Sequence, residues 1–481
     1  MRAFPAVLVA VLCSSLALAG KPAKAPANKT VDQGGTRYKC PLDKPQKVYG
    51  HALNASAVLE KDETWTPENV YLVFGPFHVK KTLTIQPGTV VCMQYGPPGA
   101  DGSAEPPPGD ISIEQGATLK VMGTADKHVV FTSMDGPQQY WGGFYYSSGA
   151  KNDLSTMQYT DIYNAGLSAS SGVLNTFPDY KAPPLDWQNV SVYSVQRVGL
   201  KNLTSGWTPA TSILFNNHAE ETPTRDLFRG YPVMRVHLWG ADTVTEKTLR
   251  LGPTVAKPAR YIQLDHAEGM HIDADVTLHK LADGMAWRNI GNMKMNGPAD
   301  DPALFTIDPG VILAVNNSGY INIGNGGSGM ANLVAVGTKE QPILITSDAF
   351  TEGREPERGD WPAIEFFPGN FNPKVSKFEW VTFEYGGGTG KDSIYNCNDG
   401  RSDRTAQLLF TISGKGEDYE GPAVKNSTFR KSGGAGVRSR CNVSHSGGCL
   451  KTNYEDKALG NKFEDVDDDH PATIPLTCPA N

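Results

Sequence analysis

The apolar positions along this chain fall in short alternating runs rather than in helical stripes. Leu83 and Ile85, Ile111 and Ile113, Ile321 and Ile323, and Ile364 and Phe366 each bracket one polar residue. A period of two puts both apolar residues on one face of a β-strand. Turns with Pro-Gly, Gly-Gly or Asn separate the runs, and helical periodicity is nearly absent. Short strands set off by turns fit either a β-sandwich or a solenoid of stacked coils.

The pattern repeats at long range, and this favours the solenoid. Leu83-Thr-Ile-Gln-Pro-Gly-Thr-Val-Val91 matches Phe305-Thr-Ile-Asp-Pro-Gly-Val-Ile-Leu313, at an offset of 222. Gly116 to Thr124 then resembles Ala331 to Thr338, and His128 to Ser133 resembles Pro342 to Ser347. Trp141 to Tyr146 matches Trp361 to Phe366, Met157 to Ile162 matches Phe378 to Phe383, and Asn189 to Val192 matches Asn426 to Phe429. Upstream, Tyr71 to Gly75 aligns with Trp287 to Gly291. Order is kept and only loop lengths drift, which defines a duplicated unit of about 150 residues. A single coil cannot bury its apolar face, whereas stacked coils share one continuous core. Asn189, Asn426 and Asn461 each precede a strand. Asn tolerates the left-handed backbone that a coil corner needs.

The run LTIQPGTVV…ISIEQGATLKVMGTADKHVVFTS…WGGFYY…MQYTDIYNAG and its second copy resemble bacterial secreted right-handed parallel β-helix repeat proteins of the pectin-lyase-like architecture. The resemblance covers roughly residues 65 to 470. It implies an all-β, right-handed parallel β-helix solenoid with an internally duplicated unit. It implies no one chemistry, because that architecture hosts lyases, hydrolases, esterases, adhesins and proteins without known activity. The expected layout is a signal peptide at 1–19 and a partly disordered leader at 20–64. A first β-helix unit follows at 65–220, connecting coils at 221–280, a second unit at 281–470 and a tail at 471–481.

Composition adds export and cross-linking to this picture. Arg2, the apolar stretch Ala6 to Leu18 and the small-x-small run Ala17-Leu18-Ala19 read as a signal peptide cleaved before Gly20. Lipidation at Cys13 is the competing reading, and Leu12 before it is the wrong size for that processing. No later apolar run approaches the ~20 residues that span a bilayer. Six cysteines remain after cleavage: Cys40, Cys92, Cys397, Cys441, Cys449 and Cys478. An even count in an exported chain suggests disulfides, with Cys40–Cys92 the preferred first pair. A zinc site is the alternative, but there is no CxxC pair, and His445 alone does not complete one. Gly 51 and Pro 34 together exceed average usage of about 12%, in keeping with many turns. A formal charge of −7 and the lack of a basic stripe exclude nucleic acid as a default partner.

Candidate chemistry is sparse. The hydrolase signature of the resembled architecture runs Asn-Thr-Asp, Asp-Asp, Gly-His-Gly. Only an Asp-Asp is found, within Asp467-Asp468-Asp469, and it lacks its companions. A solvated acidic tail is the plainer reading, and a weak calcium site of Asp465, Asp467 and Asp469 is the sharper one. The densest polar cluster contains His266, Glu268, His271, Asp273 and Asp275. On one strand, His271, Asp273 and Asp275 would share a face able to bind a ligand, against the plainer reading of an exposed strand edge. In Tyr140 to Tyr146, the duplicate assigns Phe144 and Tyr146 to the core and leaves Tyr145 facing outward as a sugar-stacking candidate. Gly324 to Gly329 lacks the Lys of a phosphate loop and reads as a turn. No catalytic set emerges, and no cofactor is expected beyond calcium. The first functional expectation is an exported, non-catalytic β-helix protein that binds a polysaccharide or a surface protein. A polysaccharide lyase or glycoside hydrolase is the alternative, and a structural envelope component is the third.

Overall fold

The structure, a computed structural model, describes residues 29–32, 35–50, 56–94, 109–134, 141–147, 149–165, 174–176, 186–195, 200–203, 213–216, 234–247, 249–251, 260–265, 271–324, 329–388, 406–410, 418–441, 450–466 and 475–477. The signal-peptide and lipidation readings, His266, Glu268, Asp467, Asp469, Cys397, Cys449 and Cys478 lie outside the described residues.

The spine is a 14-stranded sheet that starts at Ala57–Leu59 and ends at Lys462–Glu464, taking one strand from each turn of the chain. Its ladders are parallel. An 11-stranded sheet flanks the N-terminal part; a 7-stranded and a 5-stranded sheet flank the C-terminal part. This is the parallel β-helix that the alternation pattern implies. Inward residues of successive turns stack on one another: Ile85, Ile113, Phe131, Ile307, Ile323 and Ile345 are all buried. Phe383, Phe429 and Phe463 stack with centroids 4.7 and 5.0 Å apart and nearly parallel planes. Each fully buried side chain of this size contributes about 1.5–3 kcal/mol.

The corners explain why short strands follow one another without helices. The strand Thr156–Ala165 serves two faces: its first part pairs with Thr118–Met122 and its second part with Val129–Ser133. It bends at Tyr159, φ 41°, directly over Asn189, φ 53°, in the next turn. Trp380, Asn426 and Gly460 repeat that left-handed corner in the second copy, at 53°, 49° and 69°. Asn189 and Asn426 therefore take the role expected of them. Asn461 does not, because Gly460 occupies the corner without Cβ strain. The Asn461 amide instead donates to the Val424 and Tyr454 carbonyls, and its oxygen accepts from the Ser427 amide.

The duplication is visible in matched hydrogen bonds. The Trp141 indole donates to the Tyr163 carbonyl and the Trp361 indole to the Glu384 carbonyl, both at 2.8 Å. Ser155 Oγ accepts from the Leu119 amide, and Ser376 Oγ from the Leu333 amide. The two copies do not occupy the same sheets. Phe77–Val79, Asp110–Ile113 and Gly143–Tyr146 lie in the long sheet, whereas Met293–Met295, Ile321–Ile323 and Ile364–Phe366 lie in the 7-stranded one. The second copy is rotated by one face about the stack.

The stack begins before residue 65. Gln46–Tyr49 and Ala57–Leu59, inside the segment expected to be leader, and Glu63–Trp65, which straddles its end, pair in parallel with the next turn. Tyr49, Trp65, Tyr71 and Phe77 form an aromatic cluster at this end. Upstream, Tyr38 and Cys40 lie on the outer face of the 11-stranded sheet with Val70, Leu72, Val90 and Val130. A disulfide joins Cys40 to Cys92 there, as the cysteine count suggested. Among the described residues no helix is long and apolar enough to cross a membrane.

Candidate functional site

Outward residues of neighbouring turns sit about 4.8 Å apart, so a side chain's partners come from the turns above and below it. Among the described residues three His–carboxylate pairs are built this way. His78 Nδ1 lies 2.7 Å from Glu114, His128 Nδ1 3.2 Å from Asp161, and His279 Nδ1 2.6 Å from Asp308. The second pair is nearly buried; the first and third are about one-third exposed.

The first pair belongs to a row on the outer face of the long sheet. Val58, His78, Ser112 and Tyr145 follow one another in register across four turns. They face out because Phe77, Val79, Ile111, Ile113, Phe144 and Tyr146 on either side of them face in. Val58 is exposed, and Tyr145 is half-buried. Glu114 closes one side of the row at His78, and Asp110 lies on the other side.

Asp110 is the electrostatic anomaly. Its Oδ1 is buried and has no hydrogen-bond partner among the described residues. Burial pushes its carboxyl up to about 6; His78 opposes this and Glu114 adds to it. Loss of hydration penalises the charged form, and a second nearby carboxylate does the same. The chain makes room for Asp110 with Gly142, where any Cβ would sit 2.8 Å from the Asp110 Cβ. The second copy has Pro362-Ala363 in place of Gly142-Gly143. That departure from the repeat is the sequence signal of this site, and it went unread, as did His78, Asp110 and Glu114.

The residues singled out from sequence are placed as follows. Tyr145 faces outward, as does its counterpart Glu365. His271, Asp273 and Asp275 are all exposed, but they do not share one strand. The strand His271–Ile272 ends, the chain bends, and Val276–Leu278 begins a different sheet. Two of the three are engaged locally: His271 Nδ1 meets the Asn296 amide at 2.7 Å, and Asp275 accepts from the Leu304 amide. Asp465 occupies a left-handed turn and pairs with Arg358. Among the described residues no three His, Cys, Asp or Glu side chains come together in a metal-binding group.

The face that carries Tyr145 is also the part of the chain with a recognisable relative. Residues 57–167 match the family model of a pectate-lyase-like beta helix domain. No curated protein and no solved structure matches the chain. The β-helix domain and its disulfide point to an oxidising, extracytoplasmic setting.

Proposed function

We propose that this is an exported, non-catalytic binding protein that holds a glycan on the outer face of its long sheet, at the row Val58–His78–Ser112–Tyr145. The observation that carries this reading is the row itself. An aromatic ring, a hydroxyl and an imidazole–carboxylate pair follow one another at strand spacing, with Tyr145 and His78 half-buried and Ser112 recessed between them. Sugar rings stack on aromatic faces while their hydroxyls exchange hydrogen bonds with such groups. A glycan array with a reducing-end release assay tests it. The expected result is binding without release of new ends, weakened about tenfold by Tyr145→Ala, which corresponds to about 1.4 kcal/mol. Binding that is indifferent to Tyr145 would remove the row from consideration.

A second reading has one specific observation in its favour. Asp110, a carboxyl whose pKa is raised to about 6, lies across the row from the second carboxylate Glu114 and within its electrostatic influence. Pairs of carboxyls with separated protonation serve as acid and base in glycan cleavage. If the parent protein releases new ends, and a folded Asp110→Asn variant does not, the cleaving reading replaces the binding one.

A further inference from the structure

The 5-stranded sheet starts at Val276–Leu278. In the turn before it, a 3-10 helix, Leu238–Thr243, packs against that first strand. Leu238, Ala241 and Val244 join the core in place of strand residues. A helical turn and a strand differ in width and rise, so the stack steps at this junction. The step leaves a cleft of about 370 Å³, within the size range of small-molecule sites.

The lining is polar, with the ammonium groups of Lys247 and Lys280 balanced by the carboxylates of Glu246 and Asp308. Lys247 approaches from the helical side; His279 and Lys280, Asp308 and Gln341 come from the stacked corners. The corners are fixed by backbone bonds: the Asp308 amide donates to the Leu278 carbonyl and the Gly310 amide to the Gln341 carbonyl. Trp287 holds the His279 carbonyl at 2.8 Å. Asp308 is engaged by the His279 imidazole at 2.6 Å. Neither Lys247 nor Lys280 has an ion-pair partner among the described residues. Glu246, the other carboxylate of the cleft, is exposed, as is Lys247. The first copy lacks this set: where the second has Asp308 and Gln341, the first has Gln86 and Lys127.

We propose that this cleft binds a small oxyanion-bearing ligand, a carboxylate, sulfate or phosphate, through Lys247 and Lys280, with the His279–Asp308 pair fixing the floor. Lysine is a point-charge donor suited to all three oxyanions. Glu246 and Gln341 are available to hydroxyls on the rest of the ligand.

The test is thermal stabilisation of the purified protein by inorganic sulfate, inorganic phosphate and glucuronate, titrated separately at constant ionic strength. A ligand that binds only the native state raises the melting temperature in a saturable way. The expected result is saturable stabilisation by at least one of the three. The half-saturation concentration should rise about tenfold or more in Lys247→Ala/Lys280→Ala, since charge-assisted bonds are lost. Lys425→Ala/Lys451→Ala removes the same charge from exposed positions elsewhere and should leave the response unchanged. A response to glucuronate alone assigns a sugar carboxylate; a response to sulfate or phosphate alone assigns the inorganic oxyanion or its ester. No saturable response, or an equal response in the cleft variant, overturns the proposal. Both outcomes are independent of whether Tyr145 binds a glycan.

Discussion

Asp110→Asn gives the sharpest test of the electrostatics on the long sheet. The wild-type carboxyl is held at about 6 against an ordinary 3.8, chiefly by burial. Between those two values the native state holds a proton that the unfolded chain has released. Stability contributed by the protonated form is therefore lost as pH rises from 3.8 towards 6, and the full cost is present at neutral pH. A shift of this size corresponds to about 3 kcal/mol. Among the described residues its Oδ1 has no hydrogen-bond partner, and His78, which opposes the shift, is itself bonded to Glu114. Asparagine keeps the shape and cannot ionise. Urea unfolding followed by tryptophan fluorescence, at pH values from about 4 to 8, isolates the effect as the difference between variant and wild type. All other titrating groups are common to both proteins and cancel. The variant should gain on the wild type as pH rises, by up to about 3 kcal/mol, with most of the change below pH 7. A difference that stays flat across that range, or falls with pH, refutes the claim that Asp110 is a destabilised carboxylate.

Two further outcomes concern the scaffold. Ile323→Asp places a carboxylate inside the stack at a fully buried position, which costs several kcal/mol; an unchanged melting temperature would show that this strand does not face inward. Replacing both Cys40 and Cys92 with Ser opens a loop of 52-residue separation, and chain entropy puts the loss at about 4 kcal/mol. Alkylation of the denatured, unreduced wild-type protein should leave these two cysteines unlabelled, and labelling at either would mean that the bridge does not form in solution.

The inward half of this molecule was legible from the chain and the outward half was not. Alternation alone places Leu83, Ile85, Ile111 and Ile113 in the core, because a one-residue slip would turn every one of them to water. The second copy then settles residues that composition leaves open. Phe144 and Tyr146 lie in an aromatic run that could have been a surface platform, and their alignment with Ile364 and Phe366 marks them as core. The Asn corners were readable for the same local reason, except where Gly460 displaced Asn461 from the left-handed position.

Outward chemistry is set by a different quantity, the register between turns, and turns here vary in length. His78 meets Glu114 across 36 residues, whereas His279 meets Asp308 across 29. A search for acids and bases close together in sequence therefore selects the wrong set. It finds His271, Asp273 and Asp275, which a bend then separates, and passes over His78 and Glu114, which the stacking of turns brings together. The usable signal was where the duplicate fails to repeat. Core positions are constrained alike in both copies, since both must fill the same interior. A position that is small in one copy and bulky in the other, such as Gly142 against Pro362, records something outside the core that needed the space. In this chain a Cβ at Gly142 would sit 2.8 Å from the Cβ of the half-buried Asp110. The same reasoning applies to Gln86 against Asp308, where the second copy acquires the carboxylate that holds His279. Solenoid sites are therefore to be sought in mismatches between aligned repeats, read one turn up and one turn down, rather than in motifs along the chain.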